Sequence, residues 1–205
     1  MSPDYQYQDE GSGHHHAYLL PAVRQMLEAS GAREEKLFDC GCGNGSFGNR
    51  LAGEGWNVTG VDPSEDGIRI AQGNYPDIRV ETGSTEEDLS ARFGTFPVVI
   101  SLEVVEHVYA PKEYMARIYD LVEPGGSVIL STPYHGYLKN LAIAVTGKWD
   151  HHHTVLWDDG HIKFWSVATL SQLLVMSGFT VREVARVGRM PALAKSMVIR
   201  AVKAG

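Results

Sequence analysis

Short apolar runs alternate with amphipathic segments through the middle of the chain. The apolar runs predict five strands, at residues 36–40, 57–61, 78–82, 97–102 and 127–131. Segments with apolar residues three or four positions apart predict helices at residues 46–54, 64–74, 85–93 and 111–122. Because neighbouring parallel strands need a crossover connection, this alternation indicates a parallel sheet with helices on both faces.

The N-terminal region carries a further helical pattern. Apolar residues at helical spacing predict a helix over residues 19–30. Pro21 suits the first turn of such a helix, and Gly31 suits its end. This helix would precede the first strand of the sheet.

In the C-terminal region the regular alternation of strands and helices ends. Ser166 is a candidate cap for a helix that stops at Gly178. Strands at 180–187 and 196–202 follow without a helix between them, so residues 188–191 are expected to join them as an antiparallel hairpin. The predicted fold is therefore α/β, a three-layer Rossmann-like sandwich around a mostly parallel seven-stranded sheet that ends in an antiparallel hairpin.

The composition fits one domain with a hydrophobic core. The chain has 205 residues, of which 43% are hydrophobic and 21% charged, and this is the size and balance of a single globular domain. We divide it into an N-terminal arm and helix (1–31), a core (36–132), an insertion (133–165) and a closing helix and hairpin (166–203).

The net charge of the chain limits the kinds of molecule that it is expected to bind. Lys and Arg number 18 and Asp and Glu 25, which gives a net charge of −7, and this balance argues against a protein that binds nucleic acid or anionic membranes. No apolar run approaches the roughly 18 residues of a membrane helix, and the polar, acidic N-terminus is unlike a signal peptide. We expect a cytoplasmic monomer or homodimer with no membrane partner.

Residues 133–165, here called the lid segment, do not fit the alternation of strands and helices. The segment holds three of the four tryptophans and five of the nine histidines, namely Trp149, Trp157, Trp165, His135, His151, His152, His153 and His161. A loop of this length in a compact domain is usually functional. We interpret it as a lid over an active site. Residues 151–153 offer further metal ligands, although a solvated loop is the favoured interpretation.

A strand that runs into a glycine-rich turn and then a helix is the most informative segment. Gly41, Gly43 and Gly45 permit positive φ and close approach of a ligand, and the next helix offers free N–H groups. The spacing lacks the third glycine of the dinucleotide-binding turn, which counts against a dehydrogenase. Asp39 before the turn would repel a pyrophosphate and attract an ammonium group. A turn that only redirects the chain is the structural alternative.

These residues resemble motif I of the class I S-adenosylmethionine-dependent methyltransferases, in which the acidic residue faces the methionine amino group. Asp62 and Pro63 after the second strand, residues 124–126 and the closing hairpin are also similar to this family, so the resemblance covers residues 36–132 and 166–203. The resemblance implies S-adenosylmethionine as cofactor, bound by Asp39, Gly41, Gly43, Gly45, Asp62, Pro63, Ser84, Thr85 and Leu102. The chain departs from the family at residues 83–85, where an acidic residue usually contacts the adenine.

A group of carboxylates and imidazoles follows the fourth strand. Glu103 and Glu106 are three residues apart, His107 follows directly, and His161 lies in the lid segment. At the carboxyl end of a central strand such groups could hold a divalent cation. The pattern is similar to ubiquinone-biosynthesis O-methyltransferases and to small-RNA 3′-end ribose methyltransferases, and this resemblance implies that all four residues ligate Mg, Mn or Zn. Otherwise they shape the pocket, with His107 or His161 as catalytic base, or are purely structural.

The resemblance implies an enzyme that transfers a methyl group from S-adenosylmethionine to a small-molecule acceptor, at a hydroxyl oxygen. Two alternatives stay open. A ribose 2′-O-methyltransferase of RNA 3′ ends is disfavoured by the net charge of −7, and a non-catalytic cofactor-binding protein is disfavoured by the histidines and tryptophans of the lid segment. His16 and Tyr18 are further candidates to fold over the cofactor.

Overall fold

A seven-stranded sheet organises the computed structural model of the protein, which describes residues 16–32, 35–153, 156–157 and 160–205. The strands are β1 (Lys36–Cys40), β2 (Asn57–Asp62), β3 (Arg79–Thr82), β4 (Phe96–Leu102), β5 (Val122–Pro133), β6 (Phe179–Val187) and β7 (Ser196–Lys203). The helices are α1 (His16–Ser30), α2 (Ser46–Ala52), α3 (Glu65–Asn74), α4 (Leu89–Phe93), α5 (Pro111–Leu121), α6 (Tyr137–Val145), α7 (Trp149–His153) and α8 (Val167–Met176).

The strand order is β3-β2-β1-β4-β5-β7-β6. The first five strands in this order pair in parallel, whereas β7 is antiparallel to both β5 and β6. The predicted fold class is therefore confirmed, including the antiparallel hairpin. Because the chain moves outward from β1 to β3 and then returns to β4, a crevice opens beside the carboxyl ends of β1 and β4, where ligands bind in sheets of this kind.

Two apolar layers enclose the sheet, since successive strand residues point to opposite faces. Phe38 and Leu130 belong to the core on the side of α5 and α8. Their neighbours Leu37 and Ile129 belong to the core on the side of α1, α2 and α3. All four side chains are fully buried, as expected for strands covered by helices on both faces.

Several predicted boundaries were wrong. Helix α1 covers His16–Ser30, so Pro21 lies inside it and not in the first turn. Helix α4 covers only 89–93, because the Asp88 side chain accepts a hydrogen bond from the Ala91 N–H at 3.0 Å and caps a later start. Strand β5 is longer than predicted and includes residues 124–126.

The end signals of two helices were predicted correctly. Gly31, at φ 62°, follows α1, and Gly178, at φ 91°, follows α8 after one intervening residue. Ser166 caps α8 and forms a capping box with Thr169. The connection from β6 to β7 is longer than the predicted turn and contains a 3-10 turn at Pro191–Leu193.

The lid segment is more regular than its composition suggested. It contains α6 and α7, although the sequence predicted a loop. None of the residues of α6 is buried. In the described ranges, no helix combines the length and apolar character needed to cross a membrane.

Candidate functional site

The glycine turn follows β1 at the crevice and is fastened to β2. Gly41, Gly43 and Gly45 have φ values of 88°, 55° and 75°, a region that side chains with a Cβ rarely adopt. The N–H groups of Gly41 and Cys42 both donate to the Val61 carbonyl, at 2.8 and 3.0 Å. The turn therefore has a fixed shape whose conformation requires glycine.

A cavity opens beside this turn. Its lining residues are Cys40, Gly41, Val61, Pro63, Gly83, Ser84, Thr85, Val104, Val108 and Tyr114. Four of the predicted cofactor residues, Gly41, Pro63, Ser84 and Thr85, are among them. The other five, Asp39, Gly43, Gly45, Asp62 and Leu102, are not. A Cβ on Gly41 would overlap the Val104 side chain, so this glycine also permits close packing at the cavity wall.

Two buried carboxylates lie behind the turn. Burial raises the pKa of Asp39 to about 7, and the charge of Asp62 adds to the rise. Asp62 accepts hydrogen bonds from the N–H groups of Gly43 and Ser64, each at 2.9 Å. Burial raises its pKa and these two bonds oppose the rise. The pair is suited to a cationic ligand group, whose charge would offset the cost of burying both carboxylates.

The edge of the cavity after β3 has its own hydrogen-bond arrangement. The Ser84 N–H donates to Glu87 Oε1 at 3.0 Å, and Glu87 also pairs with Arg92 at 3.1 Å. A Cβ on Gly83 would lie 2.8 Å from the Glu87 carboxylate. A carboxylate is therefore present at this edge, although residues 83–85 contain none.

Glu103 begins the turn after β4 and occupies the left-handed region at φ 56°, which is unfavourable for a residue with a Cβ. Its carboxylate accepts from the Ser131 hydroxyl at 2.8 Å and from the Ser196 hydroxyl at 3.2 Å. Burial raises its pKa to about 7, against the effect of both hydroxyls. These bonds direct Glu103 towards β5 and β7.

Glu106, His107 and His161 form the cluster predicted from the sequence, without Glu103. One potential ligand atom from each of the three lies within 4.8 Å of the others. Glu106 is 1% exposed, and neither of its carboxylate oxygens has a hydrogen-bond partner among the described residues. Burial, and then the charge of Glu103, raise the pKa of Glu106 well above its usual value. A buried carboxylate without hydrogen bonds is costly unless it binds a proton or a cation.

Backbone contacts of the lid segment bring His161 to this cluster. The N–H groups of Ile162 and Lys163 both donate to the Glu106 carbonyl at 3.0 Å, and Trp165 Nε1 donates to the Val105 carbonyl at 3.3 Å. The rings of His107 and His161 then lie 4.9 Å apart. Burial and the neighbouring His107 lower the pKa of His161 to about 4, so its imidazole is neutral at pH 7 and available as a ligand or proton acceptor.

Some lining residues were not identified from the sequence. Val104 and Val108 line the cavity on either side of Glu106, but apolar residues carry no chemical signature. Tyr114 of α5 shares a hydrogen bond with Ser101, whose hydroxyl donates to the Cys40 carbonyl at 2.6 Å. The sequence placed it within the predicted helix 111–122 without marking it as a site residue.

The N-terminal candidates have other contacts. His16 is 9% exposed and lies edge-on to the Phe47 ring at 5.1 Å. The Tyr18 hydroxyl lies 3.3 Å from the Ser196 hydroxyl. Neither residue lines the cavity described above. The rest of the predicted N-terminal arm, residues 1–15, lies outside the described residues.

The sequence matches known proteins over most of its length. Residues 12–184 match the family model of a methyltransferase domain. The ubiquinone biosynthesis O-methyltransferase of Azorhizobium caulinodans is 33% identical over 158 residues, which are 73% of this chain and 60% of the relative. The chain thus spans about half to three fifths of the length of the curated relatives it matches.

Solved structures of low sequence identity share the fold. Magnesium protoporphyrin IX methyltransferase from Synechocystis PCC 6803, solved with bound SAH, is 21% identical with a TM-score of 0.69, over 93% of this chain and 84% of that one. The PH0226 protein from Pyrococcus horikoshii OT3 is 19% identical with a TM-score of 0.72, over 96% and 94% of the two chains. The family model, which covers more than half of the sequence, shows that this chain belongs to the methyltransferase domain family.

Proposed function

We propose that the protein transfers a methyl group from S-adenosylmethionine to a hydroxyl group of a small-molecule acceptor, with a divalent cation held by Glu106, His107 and His161. Family membership and the O-methyltransferase relatives support the reaction class. S-adenosylmethionine, when bound, supplies a methyl group on a positively charged sulfur. The protein's part is to bind that cofactor and to orient and deprotonate the acceptor.

The cofactor's charge fits the carboxylates at the glycine turn. Asp39 and Asp62 are both buried there, and an ammonium group beside them would favour their ionised forms. Asp62 holds the Gly43 N–H and so fixes the turn that the cofactor would contact. The cavity lined by Gly41, Pro63, Ser84 and Thr85 would take the remainder of the cofactor.

The Glu106 carboxylate carries the argument for a cation. It is buried, its oxygens have no hydrogen-bond partner among the described residues, and two imidazoles converge on it. One carboxylate and two imidazoles suit Mn or Zn better than Mg, which prefers oxygen ligands. A divalent cation there would lower the pKa of a bound hydroxyl. In its absence, His107 or His161 would be the candidate proton acceptor.

A single turn connects the two parts of the site, and this is the observation that best supports methyl transfer. Val104 and Val108 line the cavity at the glycine turn, while Glu106 and His107 between them belong to the carboxylate–imidazole cluster. An acceptor at this cluster would therefore lie next to a cofactor in the cavity. Such proximity supplies much of the rate of a methyl transfer.

Calorimetric titration with the demethylated product cofactor tests the first half of the proposal. We expect saturable binding that Asp39→Asn weakens about tenfold or more, because a buried charge pair with the ammonium is lost. Asp66→Asn, an exposed carboxylate in the first turn of α3, is the matched control and should bind normally. Absence of binding to the wild type would refute the cofactor assignment.

Metal binding is tested separately with Mn²⁺. We expect Glu106→Gln and His161→Ala each to weaken Mn²⁺ binding about tenfold or more, whereas His151→Ala, an exposed histidine of α7, should not. Methyl transfer to a catechol should fall when a chelator is added. Full activity in chelator together with unchanged Mn²⁺ binding by both variants would leave His161 as a base and exclude the cation.

A further inference from the structure

A second cluster of basic side chains lies in the lid segment, apart from the Glu106 group. The His135 ring lies 5.9 Å from the rings of both His152 and His153, which are 4.9 Å from each other. Lys139 of α6 is directed to the same region, because its Nζ donates to the Tyr134 carbonyl at 2.8 Å and to the Lys195 carbonyl at 3.4 Å. His135 thus comes from the end of β5, and the others come from α6 and α7.

These groups repel one another electrostatically when charged. Burial lowers the pKa of His135 to about 4 and that of Lys139 to about 8. The charge of Lys139 lowers the pKa of all three histidines, and that of Arg189 lowers the pKa of Lys139 and His152. Among the described residues, Glu103 is the carboxylate that acts in the opposite direction, and it acts on Lys139. Basic groups gathered in a protein of net charge −7, with pKa values lowered by burial and by one another, are typical of a binding site for an anion.

The cluster adjoins the proposed acceptor site. After His107, the charges of His152, His153 and Lys139 lower the pKa of His161. The charge of Glu103 acts to raise the pKa of Lys139. The backbone of His135 is also fixed in position, because its amide N–H donates to the Trp165 carbonyl at 3.1 Å. The rings of His135 and His153 also lie 5.1 and 4.9 Å from that of Phe164, three residues after His161, so the two clusters lie along the same stretch of the lid segment.

We infer that Lys139 and the imidazoles of His135, His152 and His153, aided by the charge of Arg189, bind an oxyanion of the acceptor, a carboxylate or phosphate, while its hydroxyl lies at Glu106, His107 and His161. This inference rests on the proposed function for the identity of the ligand as acceptor. At neutral pH Lys139 and Arg189 supply positive charge, and neutral imidazoles supply N–H donors. The acceptor class is accordingly a hydroxylated acid and not a neutral phenol.

A pair of nearly isosteric probes tests the inference by calorimetry. The probes are 3,4-dihydroxybenzoate and 3,4-dihydroxybenzamide, titrated into protein with and without the demethylated product cofactor. We expect the wild type to bind the acid about tenfold more tightly than the amide, with a preference that falls as salt is raised. Lys139→Met and Arg189→Met should each reduce the preference to about threefold or less, and Lys139→Arg should retain most of it. Lys148→Met, an exposed lysine between α6 and α7, should change nothing.

The ratio of the affinities for the acid and the amide distinguishes binding of the negative charge from a structural effect of the substitution. If Lys139 only stabilised the lid segment through its two carbonyl contacts, acid and amide would weaken together in Lys139→Met. Equal binding of both probes to the wild type, no binding of either, or a preference that survives in both methionine variants would overturn the inference. Inorganic phosphate that competes with the acid but not with the amide would support it. Failure of the product cofactor to bind would count against the proposed function alone, because the probe preference is also measured without it.

Discussion

At the scale of the residue, the ionised form of Asp39 destabilises the folded, ligand-free protein. Its carboxyl is 3% exposed, beside a second carboxylate. A group with a raised pKa stabilises the folded state fully below its unfolded pKa, and the contribution is lost as pH rises through the folded value. In the proposed function, the ammonium group of the cofactor would offset the cost of burying the ionised Asp39.

Asp39→Asn is expected to stabilise the ligand-free protein at pH 8. The shift of the pKa from 3.8 to about 7 corresponds to at most about 4 kcal/mol at about 1.4 kcal/mol per unit, and an amide that keeps a polar atom buried should recover about 1–3 kcal/mol. Urea unfolding at pH 8 and pH 4 measures this, and the gain should be absent or reversed at pH 4. An equal change at both pH values would show that folding does not raise the pKa of this carboxyl.

Gly41 is required both for its backbone conformation and for its lack of a side chain. At φ 88°, a Cβ is strained and would overlap Val104. We expect Gly41→Ala to lower the free energy of unfolding by about 1–3 kcal/mol and to weaken cofactor binding. Gly73→Ala is the control, because Gly73 lies in α3 and a methyl group there would meet no neighbouring atom. This substitution should raise the free energy of unfolding by about 0.5–1 kcal/mol. A similar effect of both substitutions would contradict the assigned role of the turn.

At the scale of the element, the end of the lid segment determines where His161 lies. The sequence predicted a lid and a His161 ligand but gave no position for either. Two backbone bonds to the Glu106 carbonyl and one from the Trp165 indole to the Val105 carbonyl align this stretch with the turn after β4. The imidazole therefore reaches Glu106 because the chain runs alongside the turn.

Trp165→Phe should loosen this alignment while most of the apolar contact is kept. Loss of the indole hydrogen bond is expected to cost about 0.5–1.5 kcal/mol of stability and to weaken Mn²⁺ binding about three- to tenfold through displacement of His161. Urea unfolding and Mn²⁺ calorimetry give the two values. If Mn²⁺ affinity were unchanged despite the lost stability, the alignment would not depend on Trp165.

At the scale of the whole molecule, buried carboxylates gather at the carboxyl ends of the central strands. Burial raises the pKa values of Asp39, Asp62, Glu103 and Glu106. Through these four groups the folded state keeps protons that the unfolded state loses between about pH 4, the unfolded value, and about pH 7, the folded value of Asp39 and Glu103. The lowered pKa values of His135, His152, His153 and His161 act in the opposite direction below about pH 6.5, the usual histidine value. Above about pH 6.5 the carboxylates decide the balance, and the free energy of unfolding falls as pH rises towards 8.

The ligand-free protein should accordingly melt at a lower temperature at pH 8 than at pH 6.5. Product cofactor and Mn²⁺ should each raise the melting temperature, and more at pH 8, because bound cations favour the ionised carboxylates. Differential scanning calorimetry at the two pH values, with each ligand alone and both together, measures these shifts. Ligand-induced shifts that are larger at pH 6.5 would mean that the carboxylates are not the groups that the ligands neutralise.

The sequence by itself predicted the fold class, the glycine turn and three residues, Glu106, His107 and His161, that the structure brings together. Hydrophobic periodicity is a local property, and so are the glycine spacing and the cap at Ser166, so each could be recognised along the chain. Tertiary structure decided what depends on distance between remote residues. It directed Glu103 to Ser131 and Ser196 and away from the Glu106 group. It also folded the lid segment into two helices and gathered His135, Lys139, His152 and His153 beside His161, because side chains meet only when packing of the sheet brings separate segments to one edge.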